Sequence, residues 1–393
     1  MINFHIKKIK YDNYNLYLLS IYFLWLASLL LYFFFSEFVK AGALDNGVKL
    51  GNDSSFYLEE SINIINGNIS ILKYKTKLGY LLFLIPFLYF DLPMYTVVLS
   101  QILITSISAF CLYKITEKFY CKLSGLICVA LFLLYFPLQI RNFYILTEML
   151  FIDVSIILVF FVVFFKKNYL PLIIALLFFL ISIRPNGILF LFSILTCVFL
   201  FLIHYKKYMY LALYFLCGLI ILFPVINLLD ESIHHHNLLR SLNKGIIWGY
   251  SFETREICKA SCLSVELINN NYPNTLLGYI QFVSVNFIEY FKIFFFKIFW
   301  MIFRVRPFYS DLHNAYILFF NLIIYSSLIY GFIKKPKNVF SVNFINFYLL
   351  FSIILVGLTF ADWSGRFSLY CLPFLMIFSS YGLLIFLRKI ILR

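Results

Sequence analysis

The sequence predicts an all-α polytopic membrane protein of about 10–12 transmembrane helices, with an amphipathic helix on the outer face in the first external loop. Three observations carry that expectation. Of 393 residues, 63% are hydrophobic and 21% aromatic but only 13% charged, whereas a soluble domain is about half apolar and about a quarter charged. Apolar runs of about 18 to 22 residues, the length a bilayer core demands of a helix, recur along the chain. The net charge of +14 is concentrated in short turns between those runs.

Ten runs read as spans: 15–36, 94–113, 123–138, 144–165, 169–183, 187–203, 208–228, 315–333, 341–360 and 368–388. The first is long, lacks a small-residue cleavage pattern and is followed by further spans, so it reads as a retained anchor and not a signal peptide. Two more apolar segments are ambiguous. Residues 78–90 are short and carry Pro86, and residues 276–303 hold Glu289, Lys292 and Lys297 at helical spacing on one side.

The excess of Lys and Arg in cytoplasmic turns arbitrates between these possibilities. With both ambiguous segments on the outer surface, ten spans remain and both termini lie inside. The inner turns then hold sixteen basic residues against two acids, Asp12 and Glu117, which accounts for the whole excess. Forcing either segment alone to span puts later lysine turns on the wrong side. The basic balance is therefore a topology signal, with anionic headgroups of the membrane lipids as its partner. Stripes that would read nucleic acid are not present in the sequence, so no nucleic-acid partner is expected. The organisation expected is a seven-span module over 1–230 with an external loop at 37–93, an external loop and interfacial helix over 231–314, and a three-span part over 315–393.

This topology makes the external face the working one. Asp53 stands where a helix begins, followed by SSFYLEESINIIN with Leu58, Ile62 and Ile65 on one face and Gly67 placed to end it. A helix of that kind lies in the membrane interface. The plain alternative is that Asp53 only caps the helix, although Ser54 and Ser55 would cap equally well. A carboxylate near a helix N-terminus stays ionised, the state that accepts a proton from a hydroxyl. Glu148 falls about one turn inside the outer end of its span and Asp153 nearly two turns deeper. Acids there face a cavity or a partner, and Asp153 is expected to pair with Arg184 or a hydroxyl.

Arg184 in ISIRPNG, Arg304 and Arg306 in WMIFRVRPFYSDLHN, and Arg366 in DWSGRFSLYCLP are expected to converge on this face. Each alone would do no more than snorkel to headgroups; together their guanidinium forks suit phosphate oxygens. Lys73, Lys75 and Lys77 follow the Asp53 helix and suit the same anion. Three consecutive histidines, His234 to His236, cannot all face one metal, and no second ligand cluster has metal spacing, so no metal site is expected. Most cysteines lie in apolar runs as small hydrophobes; Cys258 and Cys262 share a polar loop and would pair outside the cytoplasm, or else stay as thiols. The sequence shows no phosphate-cradling glycine loop, nucleotide fingerprint or Ser/His/Asp arrangement, so an activated substrate would arrive from the lipid.

The order of these motifs resembles the lipid-dependent glycosyltransferases of superfamily C, the group holding protein O-mannosyltransferases and the lipid A aminoarabinose transferase. The likeness lies in a first span, then NDSSFY (52–57) on an outer helix, then Thr147–Glu148, Arg184–Pro185, and Arg366, Phe367 and Pro373 at a late span. It covers most of 10–230 and more loosely the remainder. The resemblance implies an inverting glycosyltransferase of glycan biosynthesis in the plasma or inner membrane, active at its external or periplasmic side. Its donor would be a sugar on polyprenyl phosphate, and its acceptor a glycan, lipid or protein hydroxyl. Asp53 would be the base, Glu148 a second acid positioning the acceptor or a divalent cation, and the basic residues would stabilise the departing phosphate. The motif around Asp53 lacks the adjacent second acid, and the aminoarabinose transferases' large extramembrane domain has no counterpart. A transporter or flippase, or a polymerase of lipid-linked saccharides, is the alternative reading.

Overall fold

A computed structural model describes residues 13–39, 48–51, 53–68, 77–207, 209–210, 239, 242, 272–306, 309–333, 339–359 and 365–391. The expected span at 208–228, the histidines at 234–236, Lys73, Lys75, Cys258 and Cys262 fall outside or almost wholly outside them. The described chain is all helical apart from turns and one isolated bridge between Lys49 and Tyr144. Its helices are α1 (Asn13–Val39), α2 (Ser54–Ile65), α3 (Leu78–Tyr89), α4 (Tyr95–Phe119), α5 (Lys122–Leu134), α6 (Phe136–Gln139), α7 (Thr147–Val163), α8 (Leu170–Ile183) and α9 (Ile188–His204), followed by α10 (Leu276–Val285), α11 (Phe287–Phe303), α12 (Asp311–Ile333), α13 (Val339–Leu358) and α14 (Arg366–Ile391).

Among the described residues six helices are long and apolar enough to cross a membrane, and a seventh span results if a bent pair counts as one. Large apolar side chains stand outward on them, such as Phe23 at 71% and Leu31 at 69% exposure on α1. Water would not tolerate such a surface, but lipid does. The protein is an all-α polytopic membrane protein.

Two segments differ from the sequence expectation in ways that matter for the site, and a third, 78–90, is as short as expected. The run 123–138 is not one straight span: α5 stops at Leu134, and the helical stretch 136–143 leaves it at 60°. Pro137 sits in the first turn of α6, where its missing N–H costs nothing. The next helix begins only at Thr147, after an extended Tyr144–Leu146. The segment 276–303 is two helices broken at Asn286, and its ionisable residues do not share one environment. Glu289 and Lys292 pair on the exposed side, while Lys297 is fully buried and donates to the Thr359 carbonyl at 2.6 Å. At twelve residues α3 is about 18 Å long, short of the ~30 Å hydrocarbon core.

By packing, the chain divides into two compact units, one of Met1–Leu191, Ile323–Val342 and Leu372–Arg393, the other of Phe192–Leu322 and Asn343–Cys371. In the first, α4, α5 and α7 supply most of the core, including Val97, Leu112, Val129, Phe132, Phe151 and Val159. In the second, Phe282, Tyr290 and Ile293 of α10 and α11 cluster with Leu239 and Leu242. The Tyr279 hydroxyl there bonds the Tyr290 hydroxyl and the Leu358 carbonyl.

Candidate functional site

Asp53 occupies the N-cap position of α2, yet its side chain makes no capping hydrogen bond. Its carbonyl accepts from the Tyr57 N–H, as the first helical bond requires. The neighbouring serine does the anchoring. Ser54 is buried; its Oγ accepts from the Gly51 N–H at 2.8 Å and donates to the Ile145 carbonyl at 2.9 Å. At the other end Gly67, at φ +78°, closes the helix while Asn68 N–H returns to the Asn63 carbonyl.

The buried face of α2 is Ser54, Tyr57, Glu60 and Ser61, whereas Phe56 and Ile62 are 40% and 46% exposed. A helix against lipid turns apolar groups outward and keeps its polar ones for the protein. Tyr57 meets the Tyr80 ring edge-on at 5.4 Å, and Ser61 reaches the Leu81 carbonyl, so α2 lies along α3.

The chain from Asn142 to Ile145 receives α2. Asn142 and Phe143 end a short 3-10 turn, and Tyr144 and Ile145 continue without helix. Backbone outside a regular α-helix in a membrane bundle survives only where its polar groups are satisfied within the protein, and each of these four carbonyls is. Gln101 Nε2 donates to Asn142 O at 2.8 Å and Tyr144 O at 3.1 Å. Lys49 N–H donates to Phe143 O at 2.8 Å, and Ser54 takes Ile145 O. Two cations then flank one ring: Lys49 Nζ lies 5.3 Å and Arg141 Cζ 5.6 Å from the Tyr144 centroid. Ser54→Ala removes the partners of Gly51 N–H and Ile145 O together, so about 1–3 kcal/mol of stability is expected to go. Thermal unfolding of the purified protein, with Ser55→Ala as the exposed control, checks this; equal melting of the two variants would refute it.

Three residues beyond Ile145, Glu148 lies in the first turn of α7, 1% exposed. Its Oε1 stands 3.2 Å from Arg184 Nη1, which also donates to Thr147 Oγ1 at 2.8 Å. Arg184 is therefore engaged with the Thr147–Glu148 pair, the role left open for Asp153; Asp153 instead takes the hydroxyls of Thr105 and Ser108. Gly79 brings α3 against the end of α8: a Cβ there would lie 2.3 Å from Ser182 Oγ and 2.9 Å from Ile183 N. That approach places Tyr80, fully buried, beside Glu148 and Tyr57.

Asp53, Lys49, Arg141, Tyr144, Glu148 and Arg184 thus share one end of the first unit. Lys77 is half-buried at the start of α3. Arg304 and Arg306 come together in the second unit, both buried. Gly365, at φ +68°, is their meeting point: a Cβ there would stand 3.1 Å from Arg304 Nε and 3.5 Å from Arg306 Nη2. Arg304 ends α11 with a left-handed backbone, φ 57°, a strain of about 1–3 kcal/mol that the surroundings must hold. Arg306 donates from Nη1 to the Trp300 and Val305 carbonyls, and Asn314 clamps its backbone N–H and carbonyl. Arg366 follows Gly365, half-buried, as the first residue of α14.

The residues that sequence reasoning missed are Lys49, Ser54's anchoring role, Gln101 and Tyr144. Gln101 alone had a signal, a polar amide inside an apolar span. Among the described residues no group of three His, Cys, Asp or Glu side chains assembles as metal ligands, and the Arg184 guanidinium already occupies the cationic place beside Glu148. No protein-family model, curated protein or solved structure matches the chain.

Proposed function

We propose that the chain is a membrane glycosyltransferase that moves a sugar from a polyprenyl-phosphate donor to an acceptor hydroxyl at the external face, with inversion. One observation supports this above the others. Ser54, next to Asp53 at the start of α2, ties that helix to the segment leading into Glu148, so the two acids stand at one end of the unit. Asp53 takes the acceptor proton as the oxygen attacks the anomeric carbon, and the bond from that carbon to the phosphate oxygen breaks with its electron pair passing to the phosphate. Lys49 and Arg141, which flank the Tyr144 ring, and Lys77 supply positive charge where the lipid phosphate gains it. Arg304 and Arg306, converging at Gly365 with Arg366 next in sequence, form a second phosphate-suited cluster in the other unit. Glu148, held by Arg184, orients the acceptor side and does not carry the proton.

The broken α5–α6 stretch is the feature that a transporter would share, since transporters present unwound backbone to their ligands. Here carbonyls 142 to 145 already accept from protein donors, which favours the transferase. The test is reconstitution of the full chain in vesicles with polyprenyl-phosphate-linked pentose, hexose and aminopentose donors. Release of polyprenyl phosphate with sugar transfer is expected; translocation of intact donor without release would establish the flippase instead.

A further inference from the structure

A buried chain of polar side chains runs from α1 to α7 behind the bend. Trp25 Nε1 donates to Gln139 Oε1 at 3.0 Å, and Gln139 Nε2 donates to the Phe132 carbonyl at 2.9 Å. Asn142 Nδ2 lies 3.2 Å from Gln139 O and 3.3 Å from Gln139 Oε1. Asn142 Oδ1 meets Thr105 Oγ1 at 2.9 Å, Thr105 Oγ1 meets Asp153 Oδ2 at 2.7 Å, and Asp153 Oδ1 meets Ser108 Oγ at 2.5 Å. Asp153, Thr105, Ser108, Asn142, Gln139 and Trp25 are each at most 1% exposed.

The direction of every bond in this chain follows from its first member. An indole N–H only donates, so the Gln139 atom facing Trp25 is its oxygen. The Asn142 atom facing that oxygen and the Gln139 carbonyl must then be the amide nitrogen, which fixes the other end of Asn142 as oxygen. That oxygen needs a donor, and its neighbour is the Thr105 hydroxyl. Thr105 has one proton, and giving it to Asn142 leaves its oxygen to accept. The oxygen of Asp153 at 2.7 Å must then bring a proton of its own. With an ionised Asp153 the Thr105 proton would go to the carboxylate, and the Asn142 and Thr105 oxygens would face each other at 2.9 Å with no hydrogen between them. Burial without a charged partner also favours the neutral acid, and among the described residues the Thr105 and Ser108 hydroxyls are the groups bonded to this carboxyl.

We infer that Asp153 sits in the bundle as a neutral carboxylic acid whose proton closes the Asp153–Thr105–Asn142–Gln139–Trp25 chain and so holds the bend. It is a positioning residue. Asn142 and Tyr144, whose carbonyls rest on Gln101, lie on the stretch that receives Ser54 and leads to Glu148. The consequence for sugar transfer rests on the function proposed above; the protonation state does not.

Infrared spectroscopy of the full chain in nanodiscs at neutral pH, taken as the difference between wild type and Asp153→Asn, reads the proton directly. A protonated-carboxyl stretching band, shifted when aspartate is 13C-labelled, is expected in the wild type and lost in the variant. An amide at 153 donates to Thr105 and accepts from Ser108 as the acid does, so Asp153→Asn is expected to melt with the wild type and Asp153→Ala several degrees lower. No carboxyl band assignable to Asp153, or an Asn variant that melts with the Ala variant, overturns the inference. Both readouts stand even if no sugar is ever transferred, so a failed transferase reading leaves them decisive.

Discussion

Asp53→Asn is expected to reduce sugar transfer by about 10²- to 10⁴-fold, the typical contribution of a positioned general base, while the protein keeps its melting temperature. The second half of that expectation comes from the geometry. The side chain makes no capping bond in α2, Ser54, Tyr57 and Ser61 dock the helix, and an amide at 53 keeps the size of the carboxylate and an oxygen that accepts. Asparagine is itself a preferred N-cap residue, so a helix that only needed a cap would be unchanged. The amide cannot accept a proton at neutral pH. Wild type and variant, purified at equal yield and offered the same labelled donor, should bind it alike and differ in turnover. Equal turnover would leave Asp53 a surface residue at a helix start and remove the base from the mechanism. The separate loss expected for Ser54→Ala, in stability first, distinguishes the two neighbours.

The fold class was legible because lipid imposes it in bulk. Runs such as NYNLYLLSIYFLWLASLLLYFFF admit one outcome once no water is present to solvate the backbone. The 60° bend was harder. LFLLYFPLQIRNF is apolar enough to continue a span, and its clues are Pro137 followed by Gln139, Arg141 and Asn142, polar groups that need partners inside the bundle. Those partners, Trp25, Gln101 and Thr105, come from distant helices, so no local pattern announces them. The docking face of α2 was hidden for a related reason. Leu58, Ile62 and Ile65 were legible as one stripe, but the contact that orients the helix is the polar stripe opposite it.

The candidate site divides in the same way. Asp53 stood out as an acid at the start of an interfacial helix and Glu148 because an acid inside a span is costly, and Ser54 joins their segments. The pairing of 48–51 with 143–145 is a backbone contact between stretches of ordinary composition, and with it Lys49 and Tyr144 stayed hidden. Among the arginines, sequence could show that they belong to the ends of helices. It could not separate Arg184, consumed by a carboxylate 3.2 Å away, from Arg304 and Arg306, which close on a glycine backbone.

Arg184→Leu is expected to be the most destabilising single substitution in the first unit, by about 3–5 kcal/mol, the usual consequence of breaking a buried pair from one side. The guanidinium makes two contacts with α7, to Thr147 and Glu148, and the side chains of the pair are 11% and 1% exposed. Removing it leaves Glu148 in an apolar setting with its cationic neighbour gone. Arg184→Lys should recover part of the loss, since an ammonium keeps the charge but is shorter and lacks the planar geometry that holds Nη1 against both the hydroxyl and the carboxylate. Glu148→Gln should cost less than Arg184→Leu, because an amide keeps an acceptor for the guanidinium. The informative variant is the double one. Once residue 148 is neutral, loss of Arg184 no longer strands a charge, so Glu148→Gln/Arg184→Leu should be less damaged than the sum of its parts, by about 0.5–3 kcal/mol of coupling. Chemical denaturation of the four proteins in one detergent measures it. Strict additivity would mean that the two side chains are neighbours without being partners, and that Glu148 owes its place at the site to α7 alone.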